Sequence, residues 1–204
     1  MKNAVSRPKV YLAGPMVFYP DPEKTFAAMK RICARHRLEG VAPIDNQVAL
    51  QGLKPGKRLI RAIVKADIAL MDRMDAGLFC LDGFRRAPDM DPGTAFEIGY
   101  MNAQGKALAG WTEDGRSYPA KVADYFKRVF NEPLHDTPAN DKGGTSGDRR
   151  DPDNVLVHSA GCVQNGMMHI GIELNRGRVF AHQDWRVAFD AAAIHLARLF
   201  YGKL

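Results

Sequence analysis

Ala76-Gly77-Leu78-Phe79-Cys80-Leu81 is an unbroken apolar stretch, and its continuation to Gly110 decides the fold. A loop of turn residues runs from Asp82 to Asp91. A helical span comes next, from about Pro92 to Gln104, and then a second short strand candidate, Lys106 to Gly110. The helix is signalled at both ends. Asp91 can accept from the unpaired N–H groups of the first turn, and Pro92 fits the first position, where no N–H is needed. Gly105 can supply the stop. Strand, helix and strand in succession predict parallel neighbours joined by a helical crossover.

The alternation extends outward in both directions. Lys9-Val10-Tyr11-Leu12-Ala13 reads as a strand ending at Gly14-Pro15. From about Asp21 to Leu38, Phe26, Met29, Ile32 and Cys33 recur at helical spacing. Gly40 stops that helix and Val41-Ala42-Pro43 opens a second extended piece. Arg58 to about Met71 is helical, with Leu59, Ile60, Ile63, Val64 and Ile68 on one side. Beyond the central unit come Asn154 to Val157, Gln164 to Glu173, and a last helix from about Asp184 to Phe200. Asn131 to Asn154 contains three Pro and three Gly, with Leu134 its only large aliphatic, which predicts a mobile surface insertion. The expected fold is one α/β domain over residues 1–204, a flavodoxin-like or Rossmann-like parallel sheet flanked by helices.

Composition narrows the functions. The chain of 204 residues can bury a full core, and 46% apolar with 25% charged residues excludes a wholly disordered protein. The net charge of +6 is spread out, with no Lys/Arg run longer than two, so no nucleic-acid partner is expected. No run approaches the ~18 apolar residues of a membrane span, and Met1 to Lys9 lacks the apolar core of a secretory signal. Cys33, Cys80 and Cys162 are few and far apart, which fits a reduced, cytoplasmic setting. No CxxC, HExxH, P-loop, GxGxxG or GxSxG occurs, so neither a metal nor an organic cofactor is expected. Asp89 to Gly93 faintly resembles a calcium loop, but Tyr100 stands where its bidentate Glu belongs.

In parallel sheets the ligand sits beyond the carboxyl ends of the strands. There this sequence concentrates carboxylates: Asp82, Asp89 and Asp91 in the loop and Glu97 in the helix, with Asp67, Asp72 and Asp75 around the preceding helix. Glu97 stands among Ala95, Phe96, Ile98, Gly99 and Tyr100, within two turns of a helix start that favours an anion. Gly93 and Gly99 leave room beside it. Such a set suits glycosyl transfer or hydrolysis: one carboxylate attacks or stabilises an electropositive carbon while another hands a proton to the leaving group. A plainer reading makes Asp91 only a helix cap and Glu97 the partner of a nearby Arg.

Asp91 to Tyr100, Asp-Pro-Gly-Thr-Ala-Phe-Glu-Ile-Gly-Tyr, resembles the signature of the nucleoside 2-deoxyribosyltransferase family. So does Lys9 to Pro15. Pro43-Ile44-Asp45-Asn46-Gln47 is similar to the family's segment after the second strand, and Asp67 to its helix acid. Gln164-Asn165-Gly166-Met167-Met168 is similar to its C-terminal Asn-containing segment. The resemblance implies that Glu97 attacks C1′ of a 2′-deoxynucleoside and forms a deoxyribosyl ester. It implies that the Tyr11 hydroxyl orients Glu97, and that Asp67 or Asp91 moves the proton of the base. Gln47 is implied to pair with the base edge, and Gly14 and Met167 to line the substrate. Asn165 is implied to reach the sugar from a neighbouring subunit, which requires a homo-oligomer with shared sites.

Each residue has a structural alternative. Tyr11 can fill the core, Asp67 can pair with Arg61 or Lys65, and Gln47 can be a polar loop residue. Asn165 can form a turn with Gly166, and Phe18 and Tyr19 can stack on a base or pack a loop. Two other activities compete. One is an N-glycosidase passing the sugar to water, although Gly14-Pro15-Met16-Val17-Phe18 offers no Ser or Arg for a phosphate. The other is a nucleotide sensor without turnover, which has no use for the carboxylates.

Overall fold

The computed structural model describes residues 6–50, 52–137 and 149–202, the side chains of 46–49 excepted. In chain order, β1 (Lys9–Ala13) leads through a 3-10 turn (Pro15–Phe18) to α1 (Pro22–Arg35) and β2 (Glu39–Val41). A second 3-10 turn (Pro43–Leu50), α2 (Lys57–Asp72), β3 (Ala76–Cys80), α3 (Pro92–Ala103), β4 (Ala107–Thr112) and α4 (Tyr118–Phe130) come next. Three two-residue strands, β5 (His135–Asp136), β6 (Arg149–Arg150) and β7 (Leu156–Val157), precede α5 (Gly166–Glu173), β8 (Arg178–Ala181) and α6 (Trp185–Tyr201).

The central sheet is parallel throughout, in the order β2-β1-β3-β4-β8, the order of flavodoxin-like domains. Strands buried on both faces read as continuous apolar runs rather than alternating ones, as β1 and β3 do. Their side chains still point alternately to opposite faces. Val10, Leu12, Leu78 and Cys80 meet α1 (Phe26, Met29, Cys33) and α6 (Phe189, Ala192, Leu196). Tyr11, Ala13, Phe79 and Leu81 meet α2 (Leu70, Met71), α3 (Ile98, Met101) and α5 (Ile172). Each fully buried Leu, Met or Phe contributes about 1.5–3 kcal/mol. This period of two is what turns Tyr11 toward α3, the helix that carries Glu97.

The central reading holds closely. Asp91 caps α3, with Pro92 behind it, and Gly105 comes after the helix at φ +68. The α2 stripe splits: Ile68 packs against the second core, whereas Ile60 and Val64 are exposed. Outside the 131–154 segment, β8 and α4 escaped the sequence reading. The four residues of β8 form a half-covered edge strand with exposed ends, too short for a periodic signal. The spacing of Tyr118, Val122, Phe126 and Phe130 did offer a cue for α4.

The segment expected to be a mobile insertion is tied down at both flanks. β5, β6 and β7 pair antiparallel, and Arg149 donates to the Leu134 carbonyl at 2.7 Å. Leu134, Val122 and Val157 form a small satellite core with Tyr118 and Phe126. Residues 138–148 of that expectation lie outside the described residues.

Candidate active site

The sheet order reverses direction between β1 and β3, since the chain leaves β1 for β2 and returns to its other side for β3. A crevice at such a point is where open α/β sheets bind ligands. Here it is a cavity of about 260 Å³. Gly14, Val17 and Phe18 come from the exit of β1, and Pro43 and Leu50 from the second 3-10 turn. Ile63, Ala66 and Asp67 come from α2, and Asp91, Gly93, Thr94 and Glu97 from the start of α3. A larger, open groove of about 620 Å³ runs between α1 and α6, but its only carboxylate, Asp190, is already paired with Arg35 and His36.

Three carboxylates therefore face one cavity, and their surroundings differ. Tyr11, fully buried, donates its hydroxyl to Glu97 Oε1 at 2.6 Å. Burial pushes Glu97 up to about 8; the Tyr11 hydrogen bond pulls it down, and the charges of Asp67 and Asp91 push it further up. The Tyr11 phenol is itself driven well above its ordinary range, first by burial and then by Glu97. Burial alone lifts Asp67 to about 6. Asp67 makes no ion pair or hydrogen bond among the described residues, with Arg61 and Lys65 or otherwise. Asp91 is buried, and its Oδ2 accepts from Thr94 N at 2.8 Å and Thr94 Oγ1 at 2.9 Å. It is at once a helix cap and a wall of the cavity.

Gly14 presents bare backbone to the same space. Its φ of +155 disfavours other residues, and a Cβ there would lie 2.7 Å from Cys80 Cβ. A Cβ on Gly93 would crowd Asp91 Oδ2 at 3.0 Å. Gly99, in contrast, is not part of the cavity and faces open space. Phe18 is 65% exposed at the cavity rim, its ring 5.7 Å from that of Phe84. Gln47 lies in the second 3-10 turn, but its side chain is outside the described residues.

The other acids of the dense stretch do structural work. Asp72 accepts from Tyr100 and Gln104, Asp75 from Lys9 N, Asp82 from Thr112 and Glu113 N, and Asp89 from Tyr118. Asn165 and Met167 are not at this cavity. Asn165 caps α5, accepting from Met167 N at 3.0 Å, and Met167 is 77% exposed. Beside Asn165 lies a separate hollow of about 480 Å³ walled by Pro88, Asp89, Tyr118, Phe126 and His158.

The sequence reading named Gln164 only as part of the Asn165 segment and gave it no role. Only 1% exposed, it donates to Pro88 O at 3.0 Å and Leu81 O at 3.4 Å, and accepts from Asn165 N at 3.0 Å. It thereby clasps the loop leading into Asp91 to the start of α5. No local signal marks it: only the fold buries the amide, and a buried amide must find partners.

The chain matches the family model for nucleoside 2-deoxyribosyltransferases over residues 10–167. It is 47% identical over 190 residues to an uncharacterized protein of Schizosaccharomyces pombe, covering 93% of this chain and 89% of that protein. Among solved structures it is similar to a 2-desoxiribosyltransferase from Leishmania mexicana, with TM-score 0.60 and 24% identity over 92% of this chain and 98% of that one. It is also similar to a conserved protein from Enterococcus faecalis, with TM-score 0.53 and 20% identity over 91% and 98% of the two chains. At those identities the structural likeness is one of fold.

Proposed function

This chain belongs to the nucleoside 2-deoxyribosyltransferase family, and on that premise we propose that it exchanges the nucleobase of 2′-deoxynucleosides. The observation that carries the proposal is the short Tyr11–Glu97 hydrogen bond in a cavity shared with Asp67 and Asp91. Tyr11 occupies Oε1 of Glu97, which leaves Oε2 to attack C1′. As the C1′–N bond breaks, Asp67 gives its proton to the departing base and a deoxyribosyl ester forms on Glu97. A second base then attacks C1′, Asp67 takes the proton, and Glu97 leaves as carboxylate.

Asp67 is the better proton carrier of the two acids. Its acidity near 6 is close to neutrality, where proton transfer both ways is efficient. Asp91 is held by Thr94 and suits a fixed anion near the sugar. The sugar ester must be kept from water until the second base arrives. The apolar wall of Val17, Phe18, Pro43, Leu50 and Ile63 supports transfer over hydrolysis in that respect.

We further propose a homo-oligomer with shared sites. Ile60 and Val64 on α2, Phe96 on α3, and Met167, Ile170 and Leu174 on α5 are large exposed apolar residues on helices covering the same face of the sheet. Several large exposed apolar residues on one side of a domain are the raw material of an interaction surface. A neighbour docked there would bring Asn165 and Met167 toward another chain's cavity. Nucleoside salvage in the cytoplasm is the setting that fits this chemistry. Cys33, Cys80 and Cys162 stand as free, buried thiols, and no helix among the described residues is long and apolar enough to cross a membrane.

The test is chromatography of the purified protein with 2′-deoxyinosine, with and without adenine. Deoxyadenosine formed only when adenine is present is the expected result. Hypoxanthine and free deoxyribose at equal rates in both tubes would make the enzyme a hydrolase. Ligand binding with no product at all would make it a sensor.

A further inference from the structure

A second hollow, of about 150 Å³, lies between the loop after β3 and the outer face of α4, apart from the carboxylate cavity. Its lining carries four cationic side chains, Arg86, Arg116, Lys121 and Arg128, against two carboxylates, Asp114 and Asp124. We propose that this hollow binds a phosphate-type oxyanion, either inorganic phosphate or the monoester of a small sugar phosphate.

The carboxylates leave cationic capacity over. Asp114 is taken up by Arg116, which donates to it through Nε at 3.0 Å and Nη2 at 2.7 Å. Asp124 lies 3.6 Å from Arg116 and 3.9 Å from Arg128. Neither Arg86 nor Lys121 forms an ion pair among the described residues. Lys121 is only 6% exposed, and its ammonium has one hydrogen-bond partner, the Val163 carbonyl at 2.8 Å. An ammonium has three N–H groups, so two are left to serve a ligand. Burial pulls the Lys121 ammonium below its ordinary range; Asp114 and Asp82 offset only part of that, and a bound anion would offset more.

Arg86 makes no hydrogen bond among the described residues. Arg85 and Arg86 both adopt left-handed backbone conformations, at φ +53 and +67. Two consecutive long side chains in that region are uncommon and costly, and such strain gathers at ligand clamps. It turns a guanidinium, the fork best matched to a tetrahedral oxyanion, to the hollow's edge. The loop that carries Arg86 ends at Asp91, a lining residue of the carboxylate cavity, although the two hollows share no lining residue.

The test is calorimetry of the full chain with inorganic phosphate, and in parallel with ribose 5-phosphate, against chloride at equal ionic strength. One saturable event per chain is expected, absent with chloride. Tighter binding of the ester would identify a sugar phosphate as the ligand, and equal or weaker binding would identify phosphate itself. Arg86→Ala, at an exposed position that leaves the fold intact, should weaken binding tenfold or more, while Glu97→Ala leaves it unchanged. Arg86→Ala binding as tightly as the native chain would overturn the site. So would competition by a saturating 2′-deoxynucleoside, or heats no larger than the chloride control. None of these outcomes depends on whether the enzyme transfers or hydrolyses its sugar.

Discussion

The carboxylate cavity and the Asn165 end of the molecule use polar side chains in opposite ways. In the cavity, Tyr11 and Glu97 bond to each other, Asp67 bonds to no described residue, and burial shifts all three from their ordinary acidities. At Asn165 the side-chain oxygen is already committed to the first turn of α5. Gln164, beside it, satisfies three backbone groups at once. Unspent, perturbed polar groups are the mark of a site that does chemistry. Fully satisfied ones hold a shape. The difference teaches that the acids free for chemistry gather around Asp91 and Glu97, whereas the polar groups described between α4 and α5 serve to hold backbone in place.

The sharpest way to break this contrast is Glu97→Ala. Removing a covalent nucleophile should lower base exchange by about three orders of magnitude or more, with the fold retained. Mass spectrometry of the native enzyme with a donor and no acceptor should show a deoxyribosyl adduct that this variant lacks. Exchange that survives the substitution sinks the nucleophile assignment. Next in size is Asp67→Asn, expected to reduce kcat by roughly 10²–10⁴, the usual worth of a positioned acid. Asp91→Asn should cost less, because Asn is as good a helix cap as Asp. The reverse ranking would hand the proton to Asp91.

The pH profile rests on the same shifts. The active form needs Glu97 ionised and Asp67 protonated, while their acidities stand near 8 and near 6. Only a minority of molecules hold that form, and the rate should form a plateau with limbs near pH 6 and pH 8, belonging to the pair. Tyr11→Phe removes the hydrogen bond that lowers Glu97, so the alkaline limb should move up and the plateau fall about tenfold or more. An unmoved alkaline limb would make Tyr11 a packing residue.

Stability carries the same signature. The folded chain holds Glu97's proton from its ordinary value of 4.5 up to about 8, whereas the unfolded chain releases it. Stability from this group therefore falls as pH rises through that window. Glu97→Gln should match native Tm near pH 4 and exceed it above pH 8.

The two regions also differed in how far they could be read in advance. Around Glu97 the local signals agreed with the tertiary outcome: Asp91, Pro92 and Gly105 bound α3 as expected, and β1 and β3 were apolar throughout. The trio of Asp67, Asp91 and Glu97 was set apart from Asp72, Asp75, Asp82 and Asp89 only by the family resemblance; composition and spacing do not sort them. That sorting depends on which loop and helix groups arrive from afar, such as Tyr118 at Asp89 across 29 positions. In the second region, β8 is four residues long and α4 rests on a satellite core of its own. A short edge strand leaves little periodicity to detect, whereas the spacing of Tyr118, Val122, Phe126 and Phe130 did mark α4 and went unread. Gln164 looked like an ordinary polar residue until its three backbone partners were in place.

The smallest expected effect lies at Asn165, and it tests whether the second region completes the first. Asn165→Ala loses a helix cap, worth about 1 kcal/mol, so Tm should drop by only a few degrees. If Asn165 acts only on its own chain's architecture, exchange activity should track that small loss. If it reaches a neighbouring chain's cavity, exchange should fall roughly tenfold or more while the fold stays intact. Mixing then separates the cases. Reassembled with Glu97→Ala, a mixed pair holds one cavity with native Glu97 facing native Asn165 from the other chain. Activity should rise above the sum of the two variants alone. No rise from demonstrably mixed oligomers would confine each site to one chain and leave Asn165 as a cap.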